Sequence, residues 1–155
     1  MSIQQLFDIQ QPILQAPMVG ASNPHLVSAV SNSGGLGGLG AAAMKPAFLR
    51  DPIRAIKGKT DKHFNVNLLA TGSEVFDPTE TISDELTALM LDDHDEMDAG
   101  DLALPSAIFG PVEEQLAVLV EEKVPVISVH VGLEPHHVED IHQANLKVIC
   151  SATTI

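Results

Sequence analysis

Short apolar runs of strand length alternate along this chain with segments whose apolar residues recur every three or four positions. Residues 12–20, PILQAPMVG, read as a first strand ending in a glycine turn. Ser22-Asn23-Pro24 has the chemistry of a helix start: a capping side chain followed by proline at the first helical position. Leu26, Val27 and Val30 give that helix an apolar stripe, and Gly34-Gly35 stop it. A second strand follows over residues 36–40. Pro46 opens another helical stretch with Leu49, Ile53 and Ile56 spaced by four and three, and Gly58 closes it. Asp51-Pro52 inside this stretch predicts a break, because proline lacks the backbone donor and crowds the preceding turn. Residues 64–69, 124–131 and 147–152 supply the third, fourth and fifth strands. Pro111 begins the helix before the fourth, turning Leu116, Leu119 and Val120 inward. Pro135 begins the helix before the fifth, with Val138 and Ile141 inward and its end near Asn145.

Near-continuous hydrophobic strands separated by helices specify an α/β fold with a parallel sheet covered on both faces, in the order 1-2-3-4-5. A closed eight-stranded barrel takes about 250 residues, so a barrel chain of 155 residues would hold about its first five strands. Residues 70–110 stand apart. They carry eleven of the acidic residues, with a helical pattern over residues 79–91, and read as an acidic insertion at the sheet's rim.

Charge narrows the function classes. There are 21 Asp and Glu against 8 Lys and Arg, a net charge of −13, so no basic stripe is available for a phosphate backbone. Five Phe with no Trp or Tyr give no stacking platform for single strands. No apolar run reaches membrane-spanning length, and residues 1–11 lack the basic and apolar regions of a secretion signal. The single cysteine, Cys150, suits a reducing compartment. The expectation is a soluble, cytoplasmic domain without nucleic-acid or membrane partners.

Three constellations could carry chemistry. Residues 35–40, GLGGLG, satisfy the dinucleotide pattern G-x-G-x-x-G. Here the glycines follow a helix and enter a strand, the reverse of the arrangement that sets a pyrophosphate on a helix N-terminus. Close helix–strand packing over small residues is the better reading. The histidines give no metal site: His136, His137 and His142 lack the i, i+4 spacing that would bring two rings to one ion, and with His94 they read as solvated surface. Cys150, in an apolar strand without a basic neighbour, reads as an inert core thiol. The rim is more informative. Met18, Asn67, His130 and Thr153 each fall at or near the C-terminal end of an otherwise apolar strand, where parallel α/β proteins build their sites.

The motifs PILQAPM (12–18), SGGLG (33–37), TDK leading into FNVNL (60–68), SVHVG (128–132) and SATT (151–154) occur in that order. In these the chain resembles the nitronate monooxygenase family, FMN-dependent (β/α)8 TIM barrels formerly called 2-nitropropane dioxygenases. The opening strand and Gly-Gly-Leu-Gly turn are shared with flavin-dependent enoyl-acyl carrier protein reductases, whereas SVHVG and SATT favour the nitronate enzymes. The resemblance implies that residues 1–155 are the N-terminal part of one FMN-binding barrel domain, about its first five strands. It further implies that Ala16, Pro17 and Met18 lie along the isoalloxazine with strand-one backbone groups near its reactive edge. Asn67 would hydrogen-bond the flavin or its ribityl chain, and His130 would face the substrate's nitro group. The implied reaction oxidises an alkyl nitronate with O2 to a carbonyl compound and nitrite. The alternatives are an enoyl reductase consuming NAD(P)H, an inactive flavin-binding fragment, and a plain scaffold. The family's Gly-Gly-His motif and its phosphate-binding loops fall beyond Ile155. A half barrel also leaves strand edges and inward faces, among them the runs holding Ile13, Val66, Ile127 and Ile149, without an opposite wall. Self-association, or pairing with a C-terminal half, is therefore expected.

Overall fold

The computed structural model describes residues 1–70 and 111–151. The chain divides into two compact units, Met1–Thr71 with Phe109–Ile155, and Gly72–Ile108; the described residues all belong to the first. The acidic insertion, the helical pattern at 79–91 and Thr153 lie outside them.

In chain order the described elements are α1 (Ile3–Phe7), α2 (Pro24–Asn32), β1 (Gly37–Gly40), α3 (Pro46–Lys57), β2 (Phe64–Leu69), α4 (Val112–Glu121), β3 (Val126–His130), α5 (Pro135–Gln143) and β4 (Lys147–Cys150). The four strands form one parallel sheet in the order β1-β2-β3-β4. Successive parallel strands joined by helices are the repeating unit of a (β/α)8 barrel wall. Asn23 caps α2 as its sequence predicts, its side chain accepting from the backbone N–H groups of His25 and Leu26.

The first expected strand is reduced to a single parallel bridge, Leu14↔Leu36. Leu36 donates to the Ile13 carbonyl and Gln15 to the Leu36 carbonyl, both at 2.9 Å. The next donor in this ladder would be the N–H of residue 17, and Pro17 has none. The Gln15 side chain takes over: its Oε1 accepts from Gly38 N at 3.2 Å and its Nε2 donates to Gly38 O at 3.3 Å.

Two further expectations change. Helix α3 runs unbroken through Pro52. Leu49, Ile53 and Ile56 are all fully buried on one face, and at about 2 kcal/mol each they outweigh the ~3 kcal/mol cost of an internal proline. Helix α1 was not expected at all. Ser2 and Gln5 form a reciprocal capping box, and this S-x-x-Q spacing was its sequence signal. Phe7 on α1 is buried with Leu36 and Val126, and His63 Nδ1 donates to the Phe7 carbonyl at 2.7 Å.

Side chains alternate between two faces. Leu39, Val66, Leu68, Ile127 and Val129 pack with Leu49, Ile53, Ile56, Leu116, Leu119 and Ile141 of the helices. The other face holds Leu36, Val126 and Ile149 beneath Phe7, and carries Asn65, Asn67 and Ser128. Val66 and Ile127 are thus fully buried against helices rather than left without a wall. Of the four residues named for incomplete packing, Ile13 is 58% exposed and Ile149 half-buried.

Helices α3 and α4 are joined by ions at the end of α4. Glu122, buried at its C-cap, accepts from Arg54 at 2.7 and 3.0 Å, with Arg50 at 3.9 Å and Lys57 at 4.0 Å. Lys57 also donates to the Glu122 carbonyl. The hydrogen bond from Arg54 holds the Glu122 carboxyl below its ordinary value, against an opposing desolvation, with the charges of Arg54, Lys57 and Arg50 adding to the effect. Because the folded carboxyl titrates below the unfolded one, this cluster stabilises in full above about pH 5 and is lost as pH falls through the folded value. Glu122→Gln should therefore lower Tm at pH 7 and converge with the parent protein in acid. Parallel melting curves across that range, with a constant offset, would remove the cluster from the acid response.

Candidate functional site at the strand ends

Parallel strands bring their C-terminal ends to one rim, and backbone bonds tie the residues there together. Ala41 N donates to Asn67 O at 2.9 Å, Ala70 N to His130 O at 3.0 Å, and Ser151 N to Val129 O at 3.2 Å. Ser151 Oγ in turn accepts from Val131 N at 3.2 Å. Gln115, fully buried on α4, reaches the loop after β1: its Nε2 lies 2.7 Å from Met44 O and 3.3 Å from Ala42 O. A glutamine in the middle of an otherwise apolar helix stripe was the signal for this clamp.

Ala16, Pro17 and Met18 cross the inner side of β1. A Cβ built on Gly38 would lie 2.6 Å from Gln15 O, and one on Gly40 2.8 Å from Met18 C. Ser22 fixes the bend that follows. Its buried Oγ accepts from Met18 N at 2.9 Å and from Gln15 Nε2 at 3.3 Å, while Met18 O accepts from the N–H groups of Ala21 and Ser22 around Gly20, which has φ +81. The Met18 N–H is thus spent within the turn, and of the backbone groups expected near a flavin edge it is not one on offer. Met18 is 53% and Val19 58% exposed, which makes an apolar surface at the rim. Gln15, which shapes it, was not singled out from sequence, and Ser22 only as part of a helix start.

Asn67 faces Gly40 in the β1–β2 register and Ser128 in the β2–β3 register. It is buried, and its Nδ2 donates to Ser128 O at 3.2 Å and Ser128 Oγ at 3.0 Å. Met18 and Asn67 therefore share Gly40 as a neighbour. His130 ends β3 opposite Leu69 and is exposed. The chain turns sharply after it: Val131 has φ +77 and Gly132 φ +104. A β-branched residue in the left-handed region is strained, and such strain concentrates at functional sites.

Other candidates move. Cys150 is exposed rather than in the core, because β4 is an edge of the described sheet; partial burial pushes its thiol pKa up, which keeps it a poor nucleophile at neutral pH. His137 is buried, with its ring centroid 4.0 Å from that of His136, so it is not solvated surface. It lines a cavity of about 580 Å³ between α4 and α5 with Leu116, Val120 and Ile141. That cavity belongs to the helical layer and contains no rim residue. Among the described residues no three His, Cys, Asp or Glu converge as a metal site, and no helix is long and apolar enough to cross a membrane. The glycines of the G-x-G-x-x-G pattern lie between α2 and α3, mostly in β1; a Cβ on Gly37 would sit 2.1 Å from Val27 O. They serve close packing.

An exposed apolar strip beside a buried amide is a surface that suits a flat, polar-edged ring. The family model described as nitronate monooxygenase matches residues 2–155. The chain belongs to the nitronate monooxygenase family. It is 38% identical over 157 aligned residues to a nitronate monooxygenase of Pseudomonas aeruginosa, covering 96% of this chain and 43% of that protein. The corresponding protein of Paraburkholderia phytofirmans is 34% identical over 154 residues, at 97% and 42%. Among solved structures, nitroalkane oxidase from Streptomyces ansochromogenes superposes with a TM-score of 0.80 at 30% identity, over 97% of this chain and 43% of the other. The FabK M276A mutant from Thermotoga maritima gives 0.67 at 30%, over 98% and 39%. This family member thus spans about two-fifths of the length of the relatives it matches.

Removing the Ser22 hydroxyl leaves the Met18 N–H and the Gln15 amide without their shared partner, a loss of about 1–3 kcal/mol. Ser22→Ala should lower stability by that amount and speed proteolysis between residues 15 and 22. Unchanged cleavage and stability would show that the bend holds without it.

Proposed function

We propose that this chain forms the flavin-bearing rim of an FMN-dependent nitronate monooxygenase, which oxidises alkyl nitronates with O2 to a carbonyl compound and nitrite. The carrying observation is the Ala16–Met18 strip, exposed at Ala16 and Met18, beside the Asn67 amide at the C-terminal rim, in a chain of this family. Bound FMN would supply the redox chemistry, accepting electrons from the substrate and passing them to O2. The chain's own residues would hold and orient. Ala16, Pro17 and Met18 offer the ring an apolar platform, and Asn67 offers a fixed hydrogen-bonding amide. His130, aimed by the strained Val131–Gly132 bend, brings a ring N–H that steadies negative charge on the nitro group. A reducing, cytoplasmic setting suits the single thiol.

The likeness to FabK favours a second reading, an enoyl reductase that consumes NAD(P)H. The protein carrying this chain should purify yellow and release nitrite from a nitronate without added NAD(P)H. NAD(P)H consumption with an enoyl thioester, and no nitrite, would transfer the assignment to the reductase. Asn67→Ala should weaken FMN binding about tenfold, the loss of one hydrogen bond. His130→Ala should keep FMN and lose about 100-fold in turnover; full turnover removes His130 from the site.

The strip also bears on partners. Ile13, Leu14, Met18 and Val19 are exposed beside β1, an apolar surface that favours association with a second copy or with the C-terminal half of a barrel. Light scattering of the 155-residue chain should give more than the monomer mass. A monodisperse monomer with a sharp thermal transition would count against it.

A further inference from the structure

Asn65, Asn67 and Ser128 form a buried polar triangle on the sheet face opposite the helices. Asn67 Nδ2 lies 3.2 Å from Ser128 O and 3.0 Å from Ser128 Oγ; Asn65 Nδ2 lies 2.8 Å from the same Oγ. A backbone carbonyl only accepts, so the Asn67 atom facing it is the amide nitrogen. Both hydrogens of that nitrogen then have acceptors within the sheet. Asn67 has no donor left to give, and what it can present elsewhere is its carbonyl oxygen. The Ser128 side chain has other χ1 rotamers, and in those its oxygen would leave the Asn67 amide. The Asn65 amide pins that oxygen from the same strand as Asn67, two residues earlier.

We propose that Asn65 and Ser128 are positioning residues that fix Asn67 as a hydrogen-bond acceptor at the rim, so that the ligand group it meets is an N–H or O–H donor. The ligand half of this rests on the flavin reading: FMN would meet Asn67 through its ring imide N–H or a ribityl hydroxyl, not through a ring carbonyl. Nothing about the triangle itself depends on flavin.

Two arms test it on the full chain. In the first, the side-chain amide protons of Asn67 are followed by NMR. They should exchange with water about tenfold more slowly in the parent protein than in Asn65→Leu. Ser128→Ala should match Asn65→Leu, and the double variant should add little, because all three remove one arrangement. Rapid exchange in the parent, or full protection in both single variants, overturns the positioning. In the second arm, FMN is compared with its 3-methyl derivative, and riboflavin with lumiflavin, a phosphate-free pair that differs in the ribityl hydroxyls. One of these losses should cost affinity about tenfold in the parent and nothing in Asn67→Leu. Equal penalties in parent and variant overturn the donor assignment. A parent protein that binds no flavin but shows the exchange pattern would end the flavin reading while upholding the positioning.

Discussion

The close approach at β1 is the constraint on which the rest of this structure depends. A side chain at Gly37 would sit 2.1 Å from the Val27 carbonyl, at Gly38 2.6 Å from the Gln15 carbonyl, and at Gly40 2.7 Å from the Val19 nitrogen. Contacts this short are forbidden to any Cβ, so β1 is a strand pressed from both sides, by α2 on one face and by residues 15–19 on the other. Without that approach Met18 would have no route across the inner face, and the apolar strip would not reach the neighbourhood of Asn67. The site begins with three missing side chains.

Residues 12–20 show how a local rule is broken and then repaired. Proline at 17 ends the ladder that Leu14 begins, and the Gln15 amide replaces the lost main-chain bonds with side-chain bonds to Gly38. A side-chain amide gives both a donor and an acceptor, as a peptide does, but it leaves the backbone beyond it free to turn. That freedom is used at once, in the Ser22-held bend. The segment is therefore anchored like a strand and shaped like a loop.

Much of this was legible. The alternation of strand and helix patterns, the proline-marked helix starts and the parallel order all hold in the described residues, because each rests on short-range chemistry: caps, periodicity and turn glycines. What was not legible rests on long-range contacts. Pro52 sits inside an unbroken helix because tertiary burial of Leu49, Ile53 and Ile56 overrides local propensity. Asn67 and His130 were singled out from their place at strand ends, and the structure puts both at or near the C-terminal ends of their strands. Asn67's partner Ser128 was not found, nor were Gln15 and Ser22, which shape the strip beside it: each is an ordinary polar residue until the fold shows which carbonyl or amide it meets.

The two ends of the sheet carry different kinds of polar chemistry, and the contrast is informative. At the end of α4, just before β3 begins, Glu122 gathers three cations and joins two helices. At the rim Ser22, Asn67 and Gln115 are neutral hydroxyl and amide groups bonded to main chain, without counter-ions. Charge clusters hold elements together over a range of geometries, whereas neutral amides bonded to backbone hold one geometry. A rim that must hold its groups in one orientation needs the second kind. That is why the burial of Asn67 strengthens rather than weakens its claim to function: it is buried through bonds that orient it, and orientation is what the rim requires.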